Sequence, residues 1–467
     1  MLDDRFSVLA KPTGAVCNLE CEYCFFLSKD QVLDGADAMD EATMELHLRR
    51  YLDEQPDGEV TVAWQGGEPT MRGRGFFAKA FDLAERLART RQHVNHVLQT
   101  NGTFLDDEWA ALLADHQVLV GVSMDGPASM HDAYRVNRAG RGSHAQVLRG
   151  WRALERHDVP RNILCTVHRA NQDHPLEVYR YFRDELGARH IQFIPIVERV
   201  HASQLAVAEN GWRKADGTRL LYVQEGHHVT SRSVDPAAWG AFLTAVFDEW
   251  VTRDVGSCFV QLFDVMLGNL FGMYSLCVHS PECGNALVLA HNGDVYSCDH
   301  FVEPRHRLGG IRESSYRELV NTSRHREFGA LKSALPSDCR RCPVRWACQG
   351  GCPKDRIAPD ADGGRHLNYL CPGYRAFFTH AAGAVMAMDE LVANGEPASR
   401  IMDEPPADEP TSWDAGAGCW GRTTTLRTTG ISAASTPGGR RIDEDAYHAG
   451  TGTHRQEPSR SVQGRVA

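Results

Sequence analysis

An α/β protein with an open barrel of six βα units, a cysteine-rich domain behind it and a C-terminal tail is what this sequence predicts. Over the first 200 residues short β-branched runs alternate with helical stretches; eight of the 14 cysteines lie between residues 277 and 371; and from about residue 396 Gly, Ser, Thr, Pro, Arg and acidic residues run on without an apolar period. The alternation marks βαβ units on a parallel sheet. Six units suit an open, partial barrel better than a closed eightfold one, and in such barrels chemistry sits on the loops at the carboxyl ends of the strands.

The strands are expected at 6–12 (FSVLAKP), 60–66 (VTVAWQG), 94–100 (VNHVLQT), 118–124 (VLVGVSM), 162–168 (NILCTVH) and 191–197 (IQFIPIV). Helical periodicity falls between them, as at 76–90 (FFAKAFDLAERLART) and 177–187 (EVYRYFRDELG). The barrel domain takes residues 1–235, its last part, 200–235, reading as an insertion with a hairpin at Asn210-Gly211 or Asp216-Gly217. A helical linker follows at 236–276, then the cysteine-rich domain at 277–374 and a helix at 375–395. The remainder, 396–467, has the composition of a disordered tail.

Length and composition exclude several classes. At roughly 100–200 residues per domain, 467 residues make two to four folded units. Hydrophobic residues at 42% and charged residues at 24% are those of a soluble globular protein. No run of about 18 apolar residues exists and MLDDRFSVLAKP is not a signal peptide, so the expectation is a cytoplasmic protein with no membrane partner. A net charge of -11 argues against a nucleic-acid partner, which would need clustered Lys and Arg. In a reduced compartment 14 cysteines read as metal ligands or redox groups. Cys165, Cys258 and Cys419 stand alone and read as small apolar residues.

Cys17, Cys21 and Cys24 share one loop, GAVCNLECEYCFF, after the first strand. A closed zinc site wants four ligands. Three thiolates suit a cubane iron-sulfur cluster that keeps one iron open. With Tyr23 just before the last cysteine, the CxxxCxxC spacing resembles the signature of the radical S-adenosylmethionine (SAM) superfamily. The resemblance implies that Cys17, Cys21 and Cys24 hold a 4Fe-4S cluster whose fourth iron is chelated by SAM, the source of a 5'-deoxyadenosyl radical. It implies further cofactor contacts. Gly66, Gly67 and Glu68 match its GGEP motif, in which backbone and Glu68 hold the methionine ammonium; Ser123 and Arg135 stand where ribose and carboxylate are met; Tyr23 and Ile196 flank adenine.

For the eight later cysteines, spacing alone leaves zinc ribbons and iron-sulfur clusters equally open. The full pattern resembles the SPASM domain of radical enzymes that modify peptides and proteins. That likeness implies two auxiliary 4Fe-4S clusters, a nearer one on Cys277, Cys283, Cys298 and Cys352 and a farther one on Cys339, Cys342, Cys348 and Cys371, making three clusters in all. Asn292-Gly293 reads as the turn of a hairpin whose second strand delivers Cys298.

Over residues 1 to about 395 the chain most resembles the anaerobic sulfatase-maturating enzymes, through WQGGEPT, SMDGPASMHDAYRV, FIPIVE, CDHFVEP, GGCPKDR and LNYLCPGYRAFF. The family oxidises a Cys or Ser in a Cys/Ser-x-Pro-x-Arg segment of an unfolded or nascent sulfatase to Cα-formylglycine. It implies Asp299 as the base and an electron donor such as flavodoxin or ferredoxin. A cluster's negative charge is expected to raise the pKa of Asp299. Gln65 is a candidate contact to the peptide backbone, Phe25 and Phe26 offer packing, and His300 receives no role. Lys354, Asp355 and Arg356 either shape the cluster environment or form a buried ion network, the second reading being favoured. The alternative is thioether formation or epimerisation in a ribosomal peptide. A first strand starting near residue 6 is expected to leave no room for the leader-recognition domain such enzymes often carry.

Overall fold

The computed structural model describes residues 6–35 and 38–403. Six strands, β1 (Ser7–Ala10), β2 (Gly58–Trp64), β3 (Gln92–Thr100), β4 (Leu119–Ser123), β5 (Arg161–Val167) and β6 (His190–Pro195), lie side by side in chain order and pair in parallel. No end departs from its expected run by more than two residues. Side chains alternate across them: β2 buries Val60, Val62 and Trp64 on one face, while Thr61 and Ala63 are half-buried on the other. Trp64 packs edge-on against Phe76 and Phe77 of the helix Arg74–Leu87, which also buries Ala80, Phe81 and Ala84. That spacing is one stripe of a helix.

Helix starts are fixed by side-chain caps. Asp40 accepts from the Thr43 amide at 2.7 Å, Asp106 from Trp109 at 2.8 Å, and Asp235 from Ala237 and Ala238 ahead of the helix Pro236–Arg253. The insertion is closed at its base by β7 (Arg199–Val200) and β8 (His228–Val229) and turns at Asp216-Gly217, inside a bridge between Arg213 and Arg219. It packs on the first cysteine loop. Val200, Ala208, Trp212 and Tyr222 form a small core against Phe25, Lys29 donates to the Tyr222 carbonyl at 2.6 Å, and Glu20 pairs with Arg213 and Arg219.

β9 (Phe259–Val260) extends the sheet beyond β6. At the other edge the cysteine-rich region joins it. β10 (Ala286–Leu289) pairs in parallel with β1 from Ser7–Ala286 to Ala10–Leu289, and β11 (Asp294–Tyr296) and β12 (Arg307–Gly310) follow antiparallel, giving ten strands in all. The Asn292-Gly293 turn closes β10 on β11, with the Ala290 amide on the Asp294 carbonyl at 2.8 Å. β13 (Arg356–Ala358) and β14 (Leu367–Asn368) make a separate pair.

The last long helix runs Cys371–Ala393, four residues earlier than expected, so Cys371 lies in its first turn. Pro372 allows this, because a first-turn residue needs no amide hydrogen. The helix crosses Pro236–Arg253 at two glycines: a Cβ on Gly373 would stand 2.1 Å from the Pro236 carbonyl oxygen. Ordered structure continues past residue 396, contrary to expectation, because Ala398–Met402 forms a 3-10 turn and Ile401 inserts into the core. The expected tail from 404, with Cys419, lies outside the described residues. No helix among the described residues is long and apolar enough to cross a membrane.

Asp264, in the helix Gln261–Leu270, has its carboxyl pushed up to about 7 by burial. A folded pKa above the unfolded value of ~3.9 means that the folded state holds the proton more tightly. The contribution to stability is therefore full below about pH 4 and lost as pH rises through 7. Asp264→Asn should stabilise the protein at pH 8 by roughly 1–2 kcal/mol and change little at pH 4, measured by denaturant unfolding at both pH values.

Candidate active site

The loops at the carboxyl ends of β1 to β6 converge on the first cysteine loop. Cys17 is buried and Cys21 and Cys24 are half-buried. Burial pushes all three thiols up, Cys21 to about 12, so that as free thiols they hold their protons. Around Cys17 the protein already presents donors to sulfur: the Leu19 amide at 3.3 Å and Asn101 Nδ2 at 3.7 Å. Donors aimed at a buried sulfur suit a metal-bound thiolate.

Gly67 and Glu68 lock onto the cysteine loop by main-chain bonds. The Gly67 amide donates to Gly14 at 2.8 Å and the Glu68 amide to Val16 at 2.9 Å. The Glu68 side chain is engaged within the protein. Its buried carboxylate accepts from Thr70 N and Oγ1, at 3.0 and 2.5 Å, from Thr100 Oγ1 at 2.6 Å and from the Asn101 amide at 2.7 Å. Three of these donors fall on Oε1 and one on Oε2, so Glu68 ties the β2 and β3 loops together.

Arg135 is likewise committed inside the protein. Its Nε donates to Asp125 Oδ2 at 2.8 Å and its Nη2 to Thr166 Oγ1 at 3.2 Å. Asp125, fully buried in the SMDG segment, is the residue that sequence reasoning passed over. It also accepts the Tyr23 hydroxyl at 2.5 Å and the Thr166 amide at 2.9 Å, and His168 lies 3.5 Å away. Burial would raise its carboxyl, but Arg135, His168 and His131 outweigh that and hold it well below the usual carboxylate range. Tyr23 therefore has its hydroxyl fixed and its ring set edge-on to Tyr134 at 6.2 Å. Ser123 ends β4, its hydroxyl accepting from Gln99 at 3.1 Å, and Ile196, just past β6, is half-buried.

The hairpin β10–β11 carries Cys298 and Asp299 to the mouth of the barrel. Asp299 Oδ1 lies 2.6 Å from Lys11 Nζ, and Lys11, 1% exposed at the end of β1, also reaches Gln65 Oε1 at 3.4 Å and the Phe26 ring at 4.0 Å. One cation thus joins Asp299 to the loops of β1 and β2. Burial works to raise the Asp299 carboxyl, but Lys11 and then His300 outweigh it, and its pKa is lowered. Among the protein's own groups, a buried ammonium in direct contact sets this direction. His300, given no role by the sequence, stacks on Phe25 at 5.0 Å and places Nδ1 4.0 Å from the Cys298 sulfur. The two rings bridge the first cysteine loop and the hairpin.

As thiolates, the eight later cysteines would act on one another in two groups. Cys298 is acted on by Cys352 and Cys283, Cys283 and Cys352 by Cys277. Cys348 is acted on by Cys371 and Cys339, and Cys371 by Cys339 and Cys342. The second set rings a cavity of about 290 Å³, lined also by Arg341, Arg345 and Arg375. Every described cysteine is a free thiol. Among the described residues no group of three or more His, Cys, Asp or Glu is gathered for a single metal ion; thiolates on a cubane bind separate irons and stand farther apart. Lys354 and Asp355 form a buried pair at 2.6 Å.

The chain is similar to known proteins over most of its length. A family model of the radical SAM superfamily matches residues 12–182, and one of the SPASM iron-sulfur cluster-binding domain matches residues 277–343. A serine-type anaerobic sulfatase-maturating enzyme of Bacteroides thetaiotaomicron is 40% identical over 401 residues, covering 85% of this chain and 94% of the relative. A cysteine-type enzyme of Clostridium perfringens is 32% identical over 380 residues, covering 80% and 96%. Among solved structures, native anSMEcpe with bound AdoMet and Cp18Cys peptide superposes with a TM-score of 0.71 at 29% identity, covering 83% of this chain and 99% of that one. SuiB bound to its precursor peptide, at 14% identity and a TM-score of 0.53 over 78% and 76%, shares the fold.

Proposed function

Because the chain belongs to the family of anaerobic sulfatase-maturating enzymes, we propose that it oxidises a Cys or Ser side chain in a Cys/Ser-x-Pro-x-Arg segment of an unfolded sulfatase to Cα-formylglycine. The observation that carries this reading at the level of residues is Asp299. A hairpin grown from the barrel sheet holds its carboxylate over the mouth of the barrel, 2.6 Å from a buried lysine and one residue past Cys298.

When bound, SAM and three 4Fe-4S clusters supply a hydrogen-abstracting radical and an acceptor for one electron. Cys17, Cys21 and Cys24 hold the first cluster, Cys277, Cys283, Cys298 and Cys352 the nearer auxiliary one, and Cys339, Cys342, Cys348 and Cys371 the farther one. Gly66 and Gly67 offer main-chain atoms to the methionine end of SAM, with Glu68 fixing their loop. Ser123 meets the ribose, Arg135 keeps one nitrogen for the carboxylate while Asp125 orients it, and Tyr23 and Ile196 border the adenine. Oxidation takes from the target side chain one hydrogen atom at Cβ, one electron, and the thiol or hydroxyl proton. Asp299, ionised at neutral pH, takes that proton. Lys11 holds the carboxylate in place, and Gln65 meets the peptide backbone. From a serine the product is the aldehyde itself; from a cysteine it is a thioaldehyde, which water hydrolyses with loss of sulfide.

The reductant is a low-potential one-electron carrier such as flavodoxin or ferredoxin, and the site of action is the cytoplasm. Serine is the first target to offer, since the relative at 40% identity is named serine-type. The test is anaerobic incubation with SAM, dithionite and 18-residue peptides differing only in Ser or Cys at the target position. An aldehyde trapped by a hydrazine reagent supports the reading, and a thioether or an epimer of unchanged mass would replace it with the ribosomal-peptide alternative.

A further inference from the structure

Two cations are buried beside the cysteine sets, and no carboxylate among the described residues is bound to them. Lys332, on the helix Ser323–Ser333, is 0% exposed and Arg356, the first residue of β13, is 9% exposed. Lys332 Nζ donates to the Val278 carbonyl at 2.6 Å and to the Gly351 carbonyl. Arg356 donates to the carbonyls of Gly350, Leu331, Ala334 and Lys332 at 3.3, 2.9, 3.1 and 2.8 Å. All six acceptors are main-chain oxygens. The carboxylate that feels Lys332, Asp355, is already held by Lys354 at 2.6 Å.

Two like charges withdrawn from water side by side repel each other, and each costs several kcal/mol unless an anion offsets it. Burial, reinforced by Arg356, pushes Lys332 down to about 8. Both bear electrostatically on cysteine sulfurs of the two sets. Lys332 acts on Cys283 and Cys352 of the nearer set and on Cys348 of the farther one, and Arg356 on Cys283 and Cys352 and on Cys339 and Cys348. The contacts also fall on ligand segments, since Val278 follows Cys277 and Gly351 precedes Cys352.

We propose that Lys332 and Arg356 are the shared counter-charge of the two auxiliary clusters, a single cation pair that raises the reduction potential of both. This rests on reading the eight cysteines as two four-iron sites. A cubane on four thiolates is an anion and gains a further negative charge on reduction, so a fixed positive charge in a low-dielectric surrounding favours the reduced form. Both sets become better acceptors for the electron that oxidation of the target side chain releases. The side chains act through the clusters and touch no substrate; they are tuning and positioning residues.

The test is an anaerobic redox titration followed by electron paramagnetic resonance on the reconstituted holoenzyme, the first cluster being set apart by the change of its signal on adding SAM. Lys332→Gln removes the charge and keeps a donor; Lys332→Arg keeps the charge. At a fixed potential Lys332→Gln should shift the oxidised-to-reduced ratio of both auxiliary sets at least tenfold towards oxidised, which is about 59 mV for a one-electron couple. Lys332→Arg should stay near the parent. An unshifted ratio in either set overturns the proposal, as does an Arg variant shifted as far as the Gln variant. Where Lys332→Gln loses auxiliary iron, retention of iron by Lys332→Arg supports the counter-charge, and loss in both assigns Lys332 to packing and overturns it. Parent protein with only about four irons per chain would sink the two-cluster reading itself, a separate failure.

Discussion

Asp299→Asn should lower formylglycine formation by ~10²–10⁴-fold, the range typical for loss of a general base, while 5'-deoxyadenosine is still produced. Asparagine has the shape of aspartate and can still accept from Lys11, so the hairpin and the loops of β1 and β2 keep their places. What is lost is the charged oxygen that takes the target's proton. Undiminished aldehyde from Asp299→Asn, measured by mass spectrometry beside deoxyadenosine, would remove Asp299 from the role of base.

Gly67→Ala should lower cleavage of SAM by ~10²-fold or more, because a displaced ligand loop fails to hold the reacting group in place. A Cβ at Gly67 would stand 2.0 Å from the Val16 carbonyl oxygen and 2.5 Å from its carbon, and neither is the movable end of a side chain. Either the GGEP loop or the segment leading to Cys17 must shift, breaking the bonds from Gly67 to Gly14 and from Glu68 to Val16. Gly75→Ala, in the first turn of the helix Arg74–Leu87, is the control, since nothing lies within 4 Å of its Cβ. Iron analysis separates a local from a global effect: Gly67→Ala should keep about eight of about twelve irons per chain, the loss falling on the first cluster. Full iron content together with normal SAM cleavage would contradict the tight apposition seen here.

The barrel was legible in the sequence because a parallel strand covered by helices carries its own signal in β-branched runs and glycine-bounded turns. The ten-stranded sheet was not, since pairing of Ala286–Leu289 with Ser7–Ala10 joins segments almost 280 residues apart and depends on register rather than local pattern. Cysteine spacing carries ligand identity, so the thiols stood out. The groups that orient them did not: Asp125 looks like one more turn residue, Lys11 like an exposed strand end, and Lys332 like a helix-surface lysine. Each acquires meaning only from burial and from a partner far away in the chain. Glu68 and Arg135 show the reverse, since their motifs marked them but only the structure shows their polar groups taken up by Thr100, Asn101 and Asp125.

The central claim, that this chain makes formylglycine with Asp299 as the base, is tested most directly by mass spectrometry of a Ser-x-Pro-x-Arg peptide and its Cys counterpart. Each is incubated anaerobically with SAM, reductant and either parent protein or Asp299→Asn. The account predicts loss of two hydrogens from the serine peptide with the parent protein, a hydrazine adduct on the product, and deoxyadenosine without aldehyde in the variant. Deoxyadenosine with an unaltered or cross-linked peptide in the parent, or equal aldehyde from both proteins, would contradict it.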